Sequence, residues 1–182
     1  MTRLLAVLVL LFATPLWPQE AQPTTSPNAR FGFSYKVPYG WVDRTAQMQA
    51  DDTSKAQLLR AAFEHPPEVA ADRVNSAVII AAESASAYPG LETAADYFGP
   101  LSELTTSKGF RAENQPYMFT VGSRQLPRAD YSKPMGKLTM HQSSLAMLSK
   151  GYVVSFTFIA GSDEEIDRLI ESLKLSPTKP VH

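Results

Sequence analysis

Phe31-Gly32-Phe33-Ser34-Tyr35-Lys36-Val37-Pro38-Tyr39-Gly40-Trp41 is the stretch on which the reading of the fold turns. Phe31, Phe33, Tyr35 and Val37 alternate with Gly32, Ser34 and Lys36. Successive side chains of a strand point to opposite faces, so this period of two predicts a strand with one buried face. Pro38-Tyr39-Gly40 predicts a turn, and Trp41-Val42 opens a short second strand.

Towards the C-terminus the chain keeps this strand-and-turn character. Asp51 to Ser54 is a polar loop. Ala56 to Phe63 is open to two readings: its Ala and Leu content suits a helix, its alternation a buried strand, and His65-Pro66-Pro67 stops it. Ala77 to Ala82 is apolar on both faces, as in a strand covered on both sides. After the break at Tyr88-Pro89-Gly90, the spacing of Leu91, Ala94, Ala95, Phe98, Leu101 and Leu104 predicts a helix. Pro100 inside that pattern predicts a kink or a new helical turn. Tyr117, Phe119 and Val121 alternate, Gly122-Ser123 turns, and Gln125 to Tyr131 forms a further strand that Pro127 confines to an edge or a bulge. Lys137 to Leu148 is a long strand, Ser149-Lys150-Gly151 a hairpin turn, and Tyr152, Val154, Phe156 and Phe158 a strand face.

The last element is a helix. Ser162 and Glu165 have capping-box spacing, in which hydroxyl and carboxylate each satisfy an exposed amide. Asp163 and Glu164 complement the positive end of the helix dipole. Ile166, Leu169, Ile170 and Leu173 form its buried stripe, and Pro177 follows its end. Hairpin connections imply a mostly antiparallel sheet, and amphipathic helices must bury their stripes against it, which makes the class α+β.

Towards the N-terminus, Met1-Thr2-Arg3 and the uncharged run Leu4 to Ala13 read as the basic and apolar parts of a signal peptide. Pro15, Pro18, Gln19 and Glu20 end the run short of the ~20 apolar residues that a membrane span needs. The expected organisation is a signal peptide over 1–21, a flexible linker over 22–28, one domain over 29–176 and a disordered tail over 177–182. No integral span remains after cleavage, and deleting residues 1 to 28 should leave a cooperatively folding domain. The expected location is periplasmic or extracellular.

The chain has 182 residues, a formal net charge of −1 and no cysteine. Near-neutrality gives no electrostatic footprint for nucleic acid. The lack of cysteine excludes a disulfide framework, a thiolate metal site and a cysteine nucleophile.

The Phe-x-Phe-x-Tyr-x-Val-Pro-x-Gly-Trp opening (Phe31 to Trp41) resembles the first strand and turn of PsbP-like domains. The aromatic strand Tyr152 to Ile159, Gly161-Ser162-Asp163-Glu164-Glu165 and the helix to Leu173 resemble their ending. This family includes the PsbP extrinsic protein of photosystem II, the Ran-binding Mog proteins and many bacterial exported proteins. The resemblance spans Phe31 to Ser176 and is loosest from Asp51 to Asn75. It implies an antiparallel sheet between helices (an α/β/α sandwich), favours a strand over Ala56 to Phe63, and makes partner binding a recurring role. It carries over no catalytic residue and no metal ligand.

The chemistry-bearing residues point the same way. A catalytic zinc site takes three protein ligands. His65 and His141 show no paired-ligand spacing, and they read as a loop histidine and a strand-surface histidine. A weak metal site sharing a carboxylate such as Glu83 is the alternative. Ser123 and Ser162 lack a nucleophile elbow, Ser162 is a helix cap, and His141 beside Ser143 and Ser144 is ordinary strand chemistry. Asp51-Asp52, Glu164-Glu165 and Glu68 with Asp72 fall in loops or at a helix start. Trp41 either caps the core or walls an exposed aromatic patch with Tyr39 and Tyr88, residue types enriched at binding hot spots. The expectation is a non-catalytic exported domain with no cofactor and no metal. It binds an unidentified protein partner, with Tyr39, Trp41 and Tyr88 as candidate contacts. The alternative is a small-molecule or metal binder with weak hydrolytic activity.

Overall fold

The computed structural model describes residues 25–51, 57–66 and 72–176. The expected signal peptide, residues 22–24 and the tail 177–182 lie outside the described residues.

Phe31, Phe33, Tyr35 and Val37 are buried and Lys36 is exposed, with strand β2 (Phe33–Lys36) at the centre of the stretch. One edge of β2 pairs antiparallel with β1 (Thr25–Asn28), Thr25 lying opposite Lys36 and Asn28 opposite Phe33. Its other edge pairs antiparallel with β11 (Leu173–Leu175), giving a three-stranded sheet in the order β1-β2-β11. This corrects the expected linker over 22–28, whose last four residues are a strand. A Thr-Ser-Pro-Asn segment has no apolar period, so its ladder bonds to β2 and the turn after it hold it in place. The Phe31 N–H donates to Asn28 Oδ1 at 3.1 Å and the Gly32 N–H to the Asn28 carbonyl at 2.9 Å. Gly32 takes φ +74°, which only glycine adopts without strain.

The larger sheet has eight strands: β3 (Val42–Asp43), β4 (Gln57–Phe63), β5 (Ala77–Ser84), β6 (Arg111–Ala112), β7 (Tyr117–Val121), β8 (Arg124–Met135), β9 (Leu138–Ser149) and β10 (Tyr152–Ala160). The order is β3-β4-β5-β10-β9-β8-β6, with β7 also paired to β8, and every pairing is antiparallel. Within the ambiguous stretch, Gln57 to Phe63 thus resolves to a strand. At the β9–β10 turn Lys150 and Gly151 have φ of 50° and 78°. Two positive values make the turn whose twist matches antiparallel strands. Pro127 lies opposite Met118 of β7, and the β9 ladder begins only at Arg128, so the proline occupies an edge position as its missing N–H requires.

Both faces of this sheet are covered. Val154, Phe156, Phe158 and Ala160 of β10 face the small sheet and helix α3 (Asp163–Glu171). Phe31 and the β2 aromatics after it meet the β10 aromatics across this interface. Phe33 meets Phe156 edge-on with centroids 5.2 Å apart, Phe31 meets Tyr152 at 5.4 Å, and Tyr35 meets Phe158 at 6.1 Å. Ile166, Leu169 and Ile170 complete the core as the stripe predicts, whereas Leu173, expected on the same helix, lies beyond its end and is buried from β11. The Tyr35 hydroxyl donates to the Leu169 carbonyl at 3.2 Å, and burial pushes its pKa up. On the opposite face Ala129, Tyr131, Ala146 and Val153 are covered by Tyr97 and Phe98, with Tyr88, Leu91, Leu101 and Phe110 packed against them. The covering layers therefore differ from two helical layers. One is a small sheet with α3, the other an irregular segment with α2 (Phe98–Ser107).

The remaining differences have local causes. α2 begins at Phe98 instead of Leu91, because the Asp96 carboxylate holds Thr93 and Glu92 in a turn before it. Pro100 sits in the first helical turn, where its N–H is not needed. Helix α1 (Thr45–Asp51) was not expected, since it has no apolar stripe. Polar bonds to β4 anchor it: the Ala61 N–H donates to Thr45 Oγ1 at 3.0 Å and Gln49 Nε2 to the Leu58 carbonyl at 3.0 Å. Ser162 caps α3 by accepting the Glu165 N–H at 3.3 Å, but the reciprocal half of the box is replaced: the Glu165 carboxylate accepts the Ser76 hydroxyl. Among the described residues no helix is long and apolar enough to cross a membrane.

Candidate functional site

A cluster of charged side chains lies in a groove of about 530 Å³, lined by β6, β8, β9 and the start of α3. At its base is an ion pair on one strand, Arg128 and Asp130. Residues two apart on a strand share a face. Arg128 Nε donates to Asp130 Oδ1 at 2.8 Å, Nη1 to Asp167 Oδ1 at 2.9 Å and Nη2 to Ser143 Oγ at 3.0 Å, while its guanidinium lies 4.6 Å from the Phe119 ring centroid. Asp130 also accepts from the Ser143 hydroxyl, from Asn114 Nδ2 at 2.9 Å and from the Tyr117 hydroxyl at 2.9 Å. Burial works to raise the Asp130 carboxyl, but hydrogen bonds from Ser143, Asn114 and Arg128 outweigh it and hold the group below the usual carboxylate range. Burial likewise works against the Arg128 charge, and its bonds to Asp130 and Asp167 keep it more firmly protonated.

A carboxylate has about four lone-pair sites, and Asp130 has all of them occupied. Nothing is left on it to take a substrate proton. Glu113, at the rim, is held below its ordinary range by the Ser132 hydroxyl and by Arg111. His141 lines the groove, with Nδ1 2.8 Å from Asp163 Oδ1 at the start of α3. The arrangement ties β8, β9 and α3 together and keeps its charges paired. Sequence reasoning passed over Arg128 and Asp130; the Arg-x-Asp spacing on a strand was the one available signal.

The structure places the predicted contact residues on different surfaces. Tyr39 is 64% exposed on the turn between β2 and β3, the most exposed large apolar or aromatic side chain among the described residues. Trp41 is half-buried against the core that β2 and β10 share. Tyr88 packs on the opposite face of the large sheet, edge-on to Tyr97 with centroids 5.2 Å apart. Tyr88 and Tyr97 both donate to Glu83 Oε2, each at 2.6 Å. Burial first, then the Glu83 carboxylate, pushes the Tyr88 pKa up to about 12.

Glu83 and His141 line different cavities, so they do not converge as a shared metal site would require. The backbone of His65 is tied to the Asn75 side chain by two hydrogen bonds. Among the described residues no three His, Asp or Glu side chains are grouped to hold a metal ion.

No family model and no curated protein matches the chain by sequence. Solved structures do match by shape. The solution structure of cyanobacterial PsbP (CyanoP) from Synechocystis sp. PCC 6803 gives a TM-score of 0.53 at 15% identity, over 84% of this chain and 91% of that chain. LpqN of Mycobacterium tuberculosis, involved in cell envelope biogenesis, gives 0.46 at 17% identity, over 85% and 90% of the two chains. The Saccharomyces cerevisiae Ran-binding protein Mog1p gives 0.46 at 10% identity, over 81% and 92%. The likeness to CyanoP is one of fold: the chain has a PsbP-like fold.

Proposed function

We propose that this PsbP-like domain is a non-catalytic accessory module, exported to the periplasm or beyond, that binds another protein through the turn between β2 and β3. The observation that carries the reading is Tyr39. Pro38 and Gly40 (φ +79°) define its turn, and Trp41 next to it is anchored in the core. An aromatic ring on a well-supported turn offers contact area at small entropic cost, as binding hot spots do. Trp41 forms the base of this surface, and Tyr88 belongs to a separate one. The alternative, a small-molecule or metal binder in the charged groove, needs free donor atoms. The Asp130 carboxylate at the base of that groove is engaged by four neighbours.

The test is capture of partners from the native envelope fraction with the domain as bait, beside Tyr39→Ala and a Leu148→Ala surface control. The expected result is a protein retained by the wild type and by Leu148→Ala but lost with Tyr39→Ala, whose melting temperature is unchanged. A partner indifferent to Tyr39, or none at all, overturns the reading.

A further inference from the structure

One edge of β7 pairs with β8, and the other has no strand partner among the described residues. Proteins usually guard such an edge with a charge, a proline or a bulge, because unpaired backbone groups recruit another strand. Tyr117-Met118-Phe119-Thr120-Val121 has none of these, and its Met118 side chain is 55% exposed. The hairpin decides which backbone groups point outward. In an antiparallel pair, residues that exchange hydrogen bonds with the partner alternate with residues whose N–H and C=O face away from it. The two-residue loop Gly122-Ser123 is closed by the bonded pair Val121 and Arg124, so Phe119 and Tyr117 also bond to β8, while Met118 and Thr120 face outward. Pro127 agrees, since it lies opposite Met118 and has no N–H to give. Among the described residues no other backbone hydrogen bond reaches Met118 or Thr120. Beside the edge is a groove of about 390 Å³, lined by Phe119 and Thr120 from β7 and by Glu171 and Lys174 from the α3–β11 end.

We propose that this edge pairs with its counterpart in a second copy of the chain, antiparallel, about a two-fold axis at Phe119. The strand is complementary to itself. Its outward groups sit symmetrically at 118 and 120, so Met118 of each copy meets Thr120 of the other, and the two pairs exchange about four hydrogen bonds. The charges permit it. β7 has no charge to repel its own image, and Glu171 and Lys174, both exposed, bring one charge of each sign to the seam. Asp167, which also lines the groove, is already paired with Arg128. Phe119 falls opposite Phe119 of the second copy at a position without mutual hydrogen bonds, where cross-strand side chains approach closest and aromatic pairs add stability. The seam is short, so the dimer forms at high concentration. It is independent of the Tyr39 surface, because β3 lies at the other end of the strand order.

The experiment is sedimentation equilibrium of the protein from micromolar to millimolar concentration, with amide hydrogen exchange read by NMR at both ends of the range. A monomer–dimer equilibrium is expected. The Met118 and Thr120 amides should exchange fast in the monomer and slowly in the dimer, while those of Phe119 and Val121 are protected at both concentrations. Thr120→Pro removes one outward N–H that β8 does not use, so it should abolish the dimer and leave the melting temperature unchanged. Met118→Lys with Thr120→Lys places like charges opposite each other and should also abolish it. Met118→Lys with Thr120→Glu places opposite charges there and should restore it. All variants keep the apolar run Leu4 to Ala13, so association through that run would be common to all of them. A monomer at every concentration, a dimer indifferent to the proline and the lysine pair, or no restoration by the lysine–glutamate pair overturns the proposal. So does a chain that stays monomeric while an added envelope protein protects the Met118 and Thr120 amides, which would assign the edge to a partner's strand.

Discussion

Asp130 accepts four hydrogen bonds and faces a buried guanidinium, so removing it leaves Arg128 short of its nearest counter-charge. Breaking such a pair from one side costs about 3–5 kcal/mol. Asp130→Ala is therefore expected to lower unfolding stability by about that amount in a urea titration at neutral pH. The pH dependence has a definite sign. The folded Asp130 carboxyl titrates below its unfolded value of about 3.9. Its contribution is thus full above that value and is lost as the pH falls through the lower folded one. The wild type should lose stability on acidification below about pH 4. Asp130→Asn, weaker from the outset, should lose less over the same range; equal losses would show that other carboxylates govern the acid transition. Little of this pair was legible in the sequence, because Arg-x-Asp on a strand face usually faces water. Phe119 from β7 and Asp167 from α3 are what close over Arg128, and those contacts come from residues distant in sequence.

At the scale of elements, legibility followed periodicity. β2, β10 and α3 have apolar stripes of the right period and β5 an unbroken apolar run, and each forms where the pattern predicts. α1, β1 and β11 lack such a stripe. They depend on backbone and polar bonds to elements already in place, which no local pattern displays. The cap of α3 shows the same limit within four residues. Ser162→Ala should cost about 1 kcal/mol, the usual value for a lost N-cap. Glu165 serves a different contact, the Ser76 hydroxyl just before β5. A double-mutant cycle of Glu165→Ala with Ser76→Ala should give a coupling of about 0.5–1.5 kcal/mol by chemical denaturation. No coupling there would return Glu165 to the reciprocal capping role that its spacing suggested.

For the whole molecule, the fold class and the mostly antiparallel sheet followed from the hairpin signals, whereas the second, smaller sheet did not. Its strands come from both ends of the domain. That changes where the domain begins. A chain starting at Ala29 lacks β1 and leaves one edge of β2 bare, so it should melt several degrees below a chain that retains residues 22–28, on the scale of about 2–4 °C per kcal/mol for a domain of this size. Equal melting curves would show that β1 adds nothing and that the boundary at 29 was sound. The small sheet has another consequence. β1 and β11 flank the same strand and run parallel to each other, with Thr25 level with Lys36 and Leu175 level with Phe33. Two strand spacings across and three residues along put Thr25 and Leu175 about 14 Å apart. A bridge of some half-dozen residues could close the domain into a ring. The ring could then be reopened at the exposed Gly136-Lys137 turn, giving a circular permutant with its new ends on the opposite side of the sheet order from β3.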